Sequence, residues 1–250
     1  MDTSHDLTTA LRRAAHDLTA KRSIRDLDQT LSNIVAAAVS TVPAADAGGI
    51  SMTDSGQVVS RNPTSDAVTK LDQLQGELQE GPCVTAIVDP PEDGSVLVRD
   101  LAGEDAARWP RFAPHATESG YRSMLSSELH TGGGMRAALN LYAAGPDAFD
   151  AESRLTAGLF ALQAAMLLYG SEQTQSLQRA VDSRDLIGQA KGILMERFRV
   201  DDDAAFQMLV RSSQETNMKL AEVARWVHDE TVRRSGGHVV DDADIPGIGR

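Results

Sequence analysis

Apolar positions recur along the chain with two different periods, and the period changes partway through. In the segment from Ile24 to Val42, Leu27, Leu31, Ile34, Val35, Ala38 and Val42 fall near helical spacing, and Pro43 ends the pattern. Two short strands follow, AGGISM and QVVSR, joined by the turn residues Asp54, Ser55 and Gly56. Val68, Leu71, Leu74 and Leu78 then form a second helical stripe. SVLVRDL reads as a strand and RWPRFAPHATESGY as a short irregular helix. RSMLSSEL and MRAALNLYAA read as strands separated by HTGGG, and a helix begins at Ala151. Helices at both ends of an antiparallel-looking set of strands predict an α+β domain.

After Gly170 the strand period is gone. From Ser171 to Arg234 only helical patterns occur, and three helices can be drawn. The first carries Ile187, Ala190, Leu194 and Phe198 at spacings of three and four. The second follows Asp201 as cap, with Asp202 and Asp203 in a first turn that favours negative charge. Its apolar face is Ala205, Phe206, Leu209 and Val210. Asn217 stands at the next break, where a left-handed residue is tolerated. Leu220, Val223, Ala224 and Val227 mark the third. On this pattern Phe198 and Phe206 are expected in the core, and Trp226 at the core edge or as a stacking platform.

The apolar pattern therefore divides the chain into a leading segment 1–24, helical or flexible, an α+β domain over 25–170, an all-helical module over 171–234, and a disordered tail over 235–250. Composition narrows the function. The formal net charge is −12. Residues 1–170 hold 13 Lys/Arg against 22 Asp/Glu, whereas residues 171–234 hold 10 against 11. Bulk charge thus opposes nonspecific nucleic-acid binding, and any nucleic-acid contact must come from local clusters in the nearly neutral helical module. One cysteine, Cys83, excludes an intrachain disulfide and a Cys-rich zinc site. Its acidic neighbours Glu80 and Asp89 favour a buried structural thiol over a reactive one. The start lacks a secretory pattern, and the most apolar run, Leu155 to Gly170, is too short to span a bilayer, so a cytoplasmic protein is expected.

The chemistry-bearing motifs are few. His115 and His130 have no partners in the pattern, and Gly132, Gly133 and Gly134 read as a hairpin loop instead of a phosphate cradle. Trp109 and Phe112 read as an apolar plug under a loop. With no nucleophile–His–acid constellation, no HExxH and no Walker lysine loop, the chain is expected not to be an enzyme and to need no cofactor or metal.

The stretch SRDLIGQAKGILMERFRVDDDAAFQMLVRSSQETNMKLAEVA closely resembles the ANTAR domain. Its marks are AKGILM, the Ala–Phe pair opening the second helix and NMKLAEVA opening the third. Read back from there, LQEGPCVTAI, VLVRDL, RWPRFAPHA, GYRSMLSSEL and MRAALNLYAAGPDAFD resemble a GAF domain over about residues 25–168. The arrangement is similar to GAF–ANTAR proteins of actinobacterial type. The resemblance implies a GAF-like antiparallel sheet with flanking helices, often dimeric and often binding a small molecule, followed by a three-helix module that binds hairpin RNA and prevents transcription termination.

Candidate RNA contacts are Arg184, Lys191, Gly192, Arg197, Arg211 and Lys219, with Arg199 and Arg225 as further cations. Arg184 and Lys191 are seven apart and share a helical stripe. Gly192 sits mid-helix at a cost of about 1 kcal/mol, which close approach of another backbone would offset. Gly188, also mid-helix, is assigned no role. The expected partners are hairpin RNA, an unidentified small molecule in the sensor domain, and a second copy of the chain through Leu155, Leu159, Leu162, Met166 and Tyr169 at near-heptad spacing. The competing readings are a DNA-binding helix-turn-helix regulator, opposed by the acidic start of the second helix, and a small-molecule-binding dimer without a nucleic-acid partner.

Overall fold

A computed structural model describes Arg12 and residues 27–54, 57–130 and 135–235. The expectations for the rest of 1–24, for Gly132–Gly134 and for residues 236–250 lie outside the described residues. The chain divides into two units, one ending at Glu172 and one beginning at Gln173.

The first unit is a five-stranded antiparallel sheet with helices on both faces. Its strands are β1 (Ala47–Asp54), β2 (Gln57–Arg61), β3 (Ser95–Val98), β4 (Ser123–His130) and β5 (Arg136–Ala143), in the order β2-β1-β5-β4-β3. The helices are α1 (Leu27–Thr41), α2 (Asp66–Leu78), α3 (Pro82–Val88), a 3₁₀ turn at Glu104–Arg108 and α4 (Ala113–Glu118). The N-terminal part of α5 (Ala151–Phe198) completes the unit.

Central β5 is buried from Ala137 to Ala143, so both of its faces must be covered. Side chains alternate across a strand. Leu139 and Leu141 therefore join Leu31, Ile34, Val35, Phe160 and Ala164 beneath α1 and α5. Ala138 and Tyr142 join Val68, Leu71, Cys83, Ile87, Trp109 and Phe112 on the other face. Trp109 and Phe112 are thus core, as the plug reading expects.

Helix α3 carries no periodic signal, because all but two of its seven residues are buried. It forms where Pro82 sits in the first turn, a position that needs no N–H. Gly81 before it has φ 140°, a backbone state that side chains rarely adopt.

The second unit is all-helical. The C-terminal part of α5 packs with α6 (Asp202–Thr216) and α7 (Leu220–Ser235) around Ala190, Leu194, Ala205, Leu209, Val223 and Ala224. Asp201 caps α6, its carboxylate accepting from the Ala204 amide at 2.8 Å. Asn217 ends α6 in the left-handed conformation, φ 54°. The core is wholly aliphatic. Phe198 and Phe206, expected inside, are 53% and 36% exposed. Both sit at the margin of a helical stripe, where periodicity cannot separate core from rim; the buried positions are taken by leucine, valine and alanine.

Candidate functional site

The six residues singled out from the sequence all lie in the second unit. Arg184, Gly192, Arg197, Arg211 and Lys219 are exposed, whereas Lys191 is half-buried. Lys191 points across to α6 and pairs with Asp202, Nζ lying 2.6 Å from Oδ1 and 2.7 Å from Oδ2. Its ammonium also stands 5.8 Å from the centre of the Phe206 ring. The ring and the carboxylate hold this cation at the junction of α5 and α6, with 22% of its side chain exposed. The acidic first turn of α6 thus has a second role beyond the helix dipole: it positions Lys191.

Gly192 follows on the exposed side of α5. A Cβ built there meets nothing within 4 Å, and the same holds at Gly188. Close approach by another part of this unit therefore does not account for Gly192; the open backbone is available to a partner. Arg197 lies against the neighbouring Phe198, its guanidinium carbon 5.9 Å from the ring centre. Lys219 starts the turn into α7, where its amide donates to the Glu222 carboxylate at 3.2 Å.

An open groove of about 330 Å³ lies among the three helices. Leu194, Leu209 and Val223 floor it, and Arg197, Phe198 and Trp226 stand at its sides. Trp226 is 60% exposed.

The interior of the first unit contains a second constellation that the sequence did not announce. Asp72 on α2 is fully buried against β1 and β5. Its Oδ1 accepts from the Tyr142 hydroxyl at 2.5 Å and from Asn140 Nδ2 at 3.2 Å, and its Oδ2 accepts from Ser60 Oγ at 3.1 Å. Gln75 extends the network, donating to Tyr142 Oη at 3.2 Å and accepting from the Cys83 amide at 2.9 Å. Burial pushes the Asp72 carboxyl up from 3.8 to about 6, against hydrogen bonds from Tyr142, Ser60, Asn140 and Ser51 that oppose the rise. Burial, with Asp72 nearby, pushes the Cys83 thiol to about 12. Cys83 is therefore a protonated core thiol, in line with the structural reading. The signal for Asp72 is present in hindsight: Val68, Leu71, Asp72 and Gln75 fall at i, i+3, i+4 and i+7, two polar residues on an apolar stripe.

His115 and His130 are exposed and lie 3.8 and 3.5 Å from Glu118 and Glu128. Among the described residues no cluster of His, Cys, Asp and Glu could hold a metal ion, and no helix is long and apolar enough to cross a membrane.

A family model described as the GAF domain matches residues 24–168, and one described as the ANTAR domain matches residues 175–227. No curated protein matches the chain. Among solved structures, the GAF domain of a phosphoenolpyruvate-protein phosphotransferase from Coxiella burnetii is 15% identical with a TM-score of 0.50, covering 70% of this chain and 99% of that one. A GAF sensor protein from Burkholderia vietnamiensis is 13% identical with a TM-score of 0.51, covering 69% and 99%. A free methionine-R-sulfoxide reductase from Neisseria meningitidis is 19% identical with a TM-score of 0.50, covering 70% and 95%. At these identities the likeness shows the fold alone. The sheet order, the two covered faces and the trihelical second unit agree with the two matched models, and the chain belongs to the GAF domain family, its GAF domain being followed by an ANTAR domain.

Proposed function

We propose that the chain is a cytoplasmic regulator, not an enzyme, whose ANTAR unit binds hairpin RNA and prevents transcription termination under control of its GAF unit. The observation that carries this reading is the ANTAR match over the all-helical unit, residues 175–227. The surface of that unit supports it. Lys191 is held between a carboxylate and an aromatic ring, Gly192 leaves backbone open beside it, and Arg197, Arg211 and Lys219 are exposed. A chain with net charge −12 that binds a polyanion must use such local groups, which favours a shaped RNA element over nonspecific binding.

The GAF unit receives the signal, a small molecule of unidentified class. We infer further that two copies associate through α5. Leu155, Leu162, Met166 and Tyr169 in the first unit are exposed on that helix at near-heptad intervals, with Leu159 part-buried between them. Two copies present two RNA-binding units, which suits an RNA element with two loops.

The test is a titration of the full chain against stem-loop RNA and against duplex DNA over a range of salt, followed by transcription through a terminator preceded by the bound stem-loops. Tighter binding to the stem-loops and increased readthrough are expected. Preference for the duplex would transfer the reading to a helix-turn-helix regulator, and binding to neither would leave a small-molecule-binding dimer.

A further inference from the structure

All three aromatic residues after Gly170, namely Phe198, Phe206 and Trp226, lie at the surface of the second unit. In the first unit Trp109, Phe112, Tyr142, Phe149 and Phe160 are at most 4% exposed. Most rings of the first unit are thus buried, Tyr169 on α5 being 47% exposed, whereas all three of the ANTAR unit reach solvent. Phe206 is engaged by Lys191. Phe198 and Trp226 stand together on the groove of about 330 Å³, within the roughly 300–1,000 Å³ typical of small-ligand sites.

We propose that this groove receives an extruded base of a single-stranded RNA loop, stacked on Trp226 and Phe198. The proposal rests on the RNA-binding reading given above and adds a site to it that is separate from Lys191. Loop bases are recognised by stacking on aromatic side chains and on arginine planes, with hydrogen bonds to their edges. The groove supplies each part. Leu194, Leu209 and Val223 make an apolar floor, and two rings and the Arg197 guanidinium offer flat faces. Ser212 and Glu230 also line it and place a hydroxyl and a carboxylate where a base edge would lie. The carboxylate accepts hydrogen bonds only, so it pairs with an N–H on the base edge, whether an exocyclic amino or a ring imino group. Glu230 is held by Arg233 at 3.0 Å, which fixes its position and offsets its charge.

Charge complementarity favours RNA over an apolar protein segment. Each of the three helices places an exposed arginine immediately before a lining residue: Arg197 before Phe198, Arg211 before Ser212 and Arg225 before Trp226. Arg197 lines the groove itself, and Arg211 and Arg225 each stand next in sequence to a lining residue, so cations are available to the phosphates on either side of an extruded nucleotide.

The experiment uses the full chain and fluorescein-labelled stem-loops selected against it from a library with a randomised loop. Trp226→Ala should weaken binding about 5- to 150-fold, the range of one lost base–aromatic stack. Trp226→Phe should restore most of the affinity, because it keeps a π face. Trp226→Leu keeps apolar bulk without that face and should bind like Trp226→Ala. Replacing one loop nucleotide by an abasic one should weaken the parent and leave Trp226→Ala unaffected. Circular dichroism should be the same for all, since Trp226 lies outside the buried core. If the parent binds RNA and both Trp226→Ala and Trp226→Leu bind as tightly, the groove is not the base site and the RNA-binding reading stands. If Trp226→Ala alters the oligomeric state and not the affinity, the groove is a protein interface and the proposal is overturned. If selection yields no RNA, the RNA-binding reading falls and this inference with it.

Discussion

Lys191 is the residue at which fold and function are hardest to separate. Its pair with Asp202 joins α5 to α6, yet an ion pair with one partner well exposed contributes only about 0–1 kcal/mol. Lys191→Ala should therefore cost little stability. As an RNA contact, a charge-assisted hydrogen bond is worth roughly 1.5–3 kcal/mol, so the same change should weaken hairpin binding about 10- to 100-fold. Asp202→Asn separates the roles. It loosens the same pair but frees the ammonium, so RNA affinity should hold or rise while stability falls slightly. Equal losses of affinity in both variants would make the pair, and not the cation, the functional unit. Arg184→Ala should weaken binding less, and Arg61→Ala, in the GAF unit, should change nothing in the same titration.

Asp72 makes a different prediction at this scale. Its folded-state value of about 6 lies above the ordinary 3.8, so the folded protein holds a proton between these pH values that the unfolded chain has released. Stability from this group is fully present below about pH 4 and is lost as pH rises through about 6, a change on the order of 3 kcal/mol. Asp72→Asn can keep acceptance from Tyr142 and Asn140 and cannot ionise. The melting temperature of the parent should fall relative to Asp72→Asn between pH 4 and pH 6.5. Parallel curves across that window would mean that Asp72 titrates normally. Asp100, Asp105 and Asp150 are shifted downward by their hydrogen bonds; they titrate in both proteins and cancel in the difference.

At the scale of elements, glycines within helices divide into two kinds with opposite consequences. Gly76 lies in α2, where a Cβ would stand 2.5 Å from the Val58 carbonyl oxygen of β2. The helix seats on the strand only because that side chain is absent, so Gly76→Ala should destabilise the GAF unit by about 1–3 kcal/mol, the usual range for overpacking. Gly188 and Gly192 lie in α5 with open space where a Cβ would be. Alanine at either should raise helix stability by up to about 1 kcal/mol. The two should then part in RNA titrations: Gly188→Ala leaves affinity unchanged, and Gly192→Ala weakens it because a methyl group holds off the partner backbone. Denaturant unfolding and hairpin titration on the same samples check both signs. Should Gly192→Ala bind as the parent does, the open backbone has no part in the contact.

At the scale of the whole molecule, α5 runs unbroken from Ala151 to Phe198 and contributes to both units. Leu162 and Met166, 59% and 61% exposed, are one turn apart on the stripe that we assign to a second copy. The double substitution Leu162→Glu with Met166→Glu should yield a monomer by light scattering with the GAF fold intact. Affinity for an RNA with one loop should survive, and the gain from a second loop should vanish. A parent that is monomeric at micromolar concentration would remove the dimer from the proposal.

The sequence by itself determined the order of the strands and of every α-helix but α3, the change from mixed to all-helical structure, the caps at Asp201 and Asn217, and the family of both parts. These features are local: they depend on period, on turn chemistry and on short strings of residues, all of which are written in neighbouring positions. The tertiary structure alone decided what meets across distance. Asp72 lies 70 positions from Tyr142, and only the register of β1 against β5 and the seat of α2 above them bring the two within hydrogen-bonding distance. Lys191 and Asp202 are recognisable separately, but the turn between α5 and α6 makes them a pair. Phe198 and Phe206 show why burial was the least legible property. Helical spacing places a ring near a stripe, whereas the packing of three helices decides whether it is buried, and here the buried positions are all aliphatic.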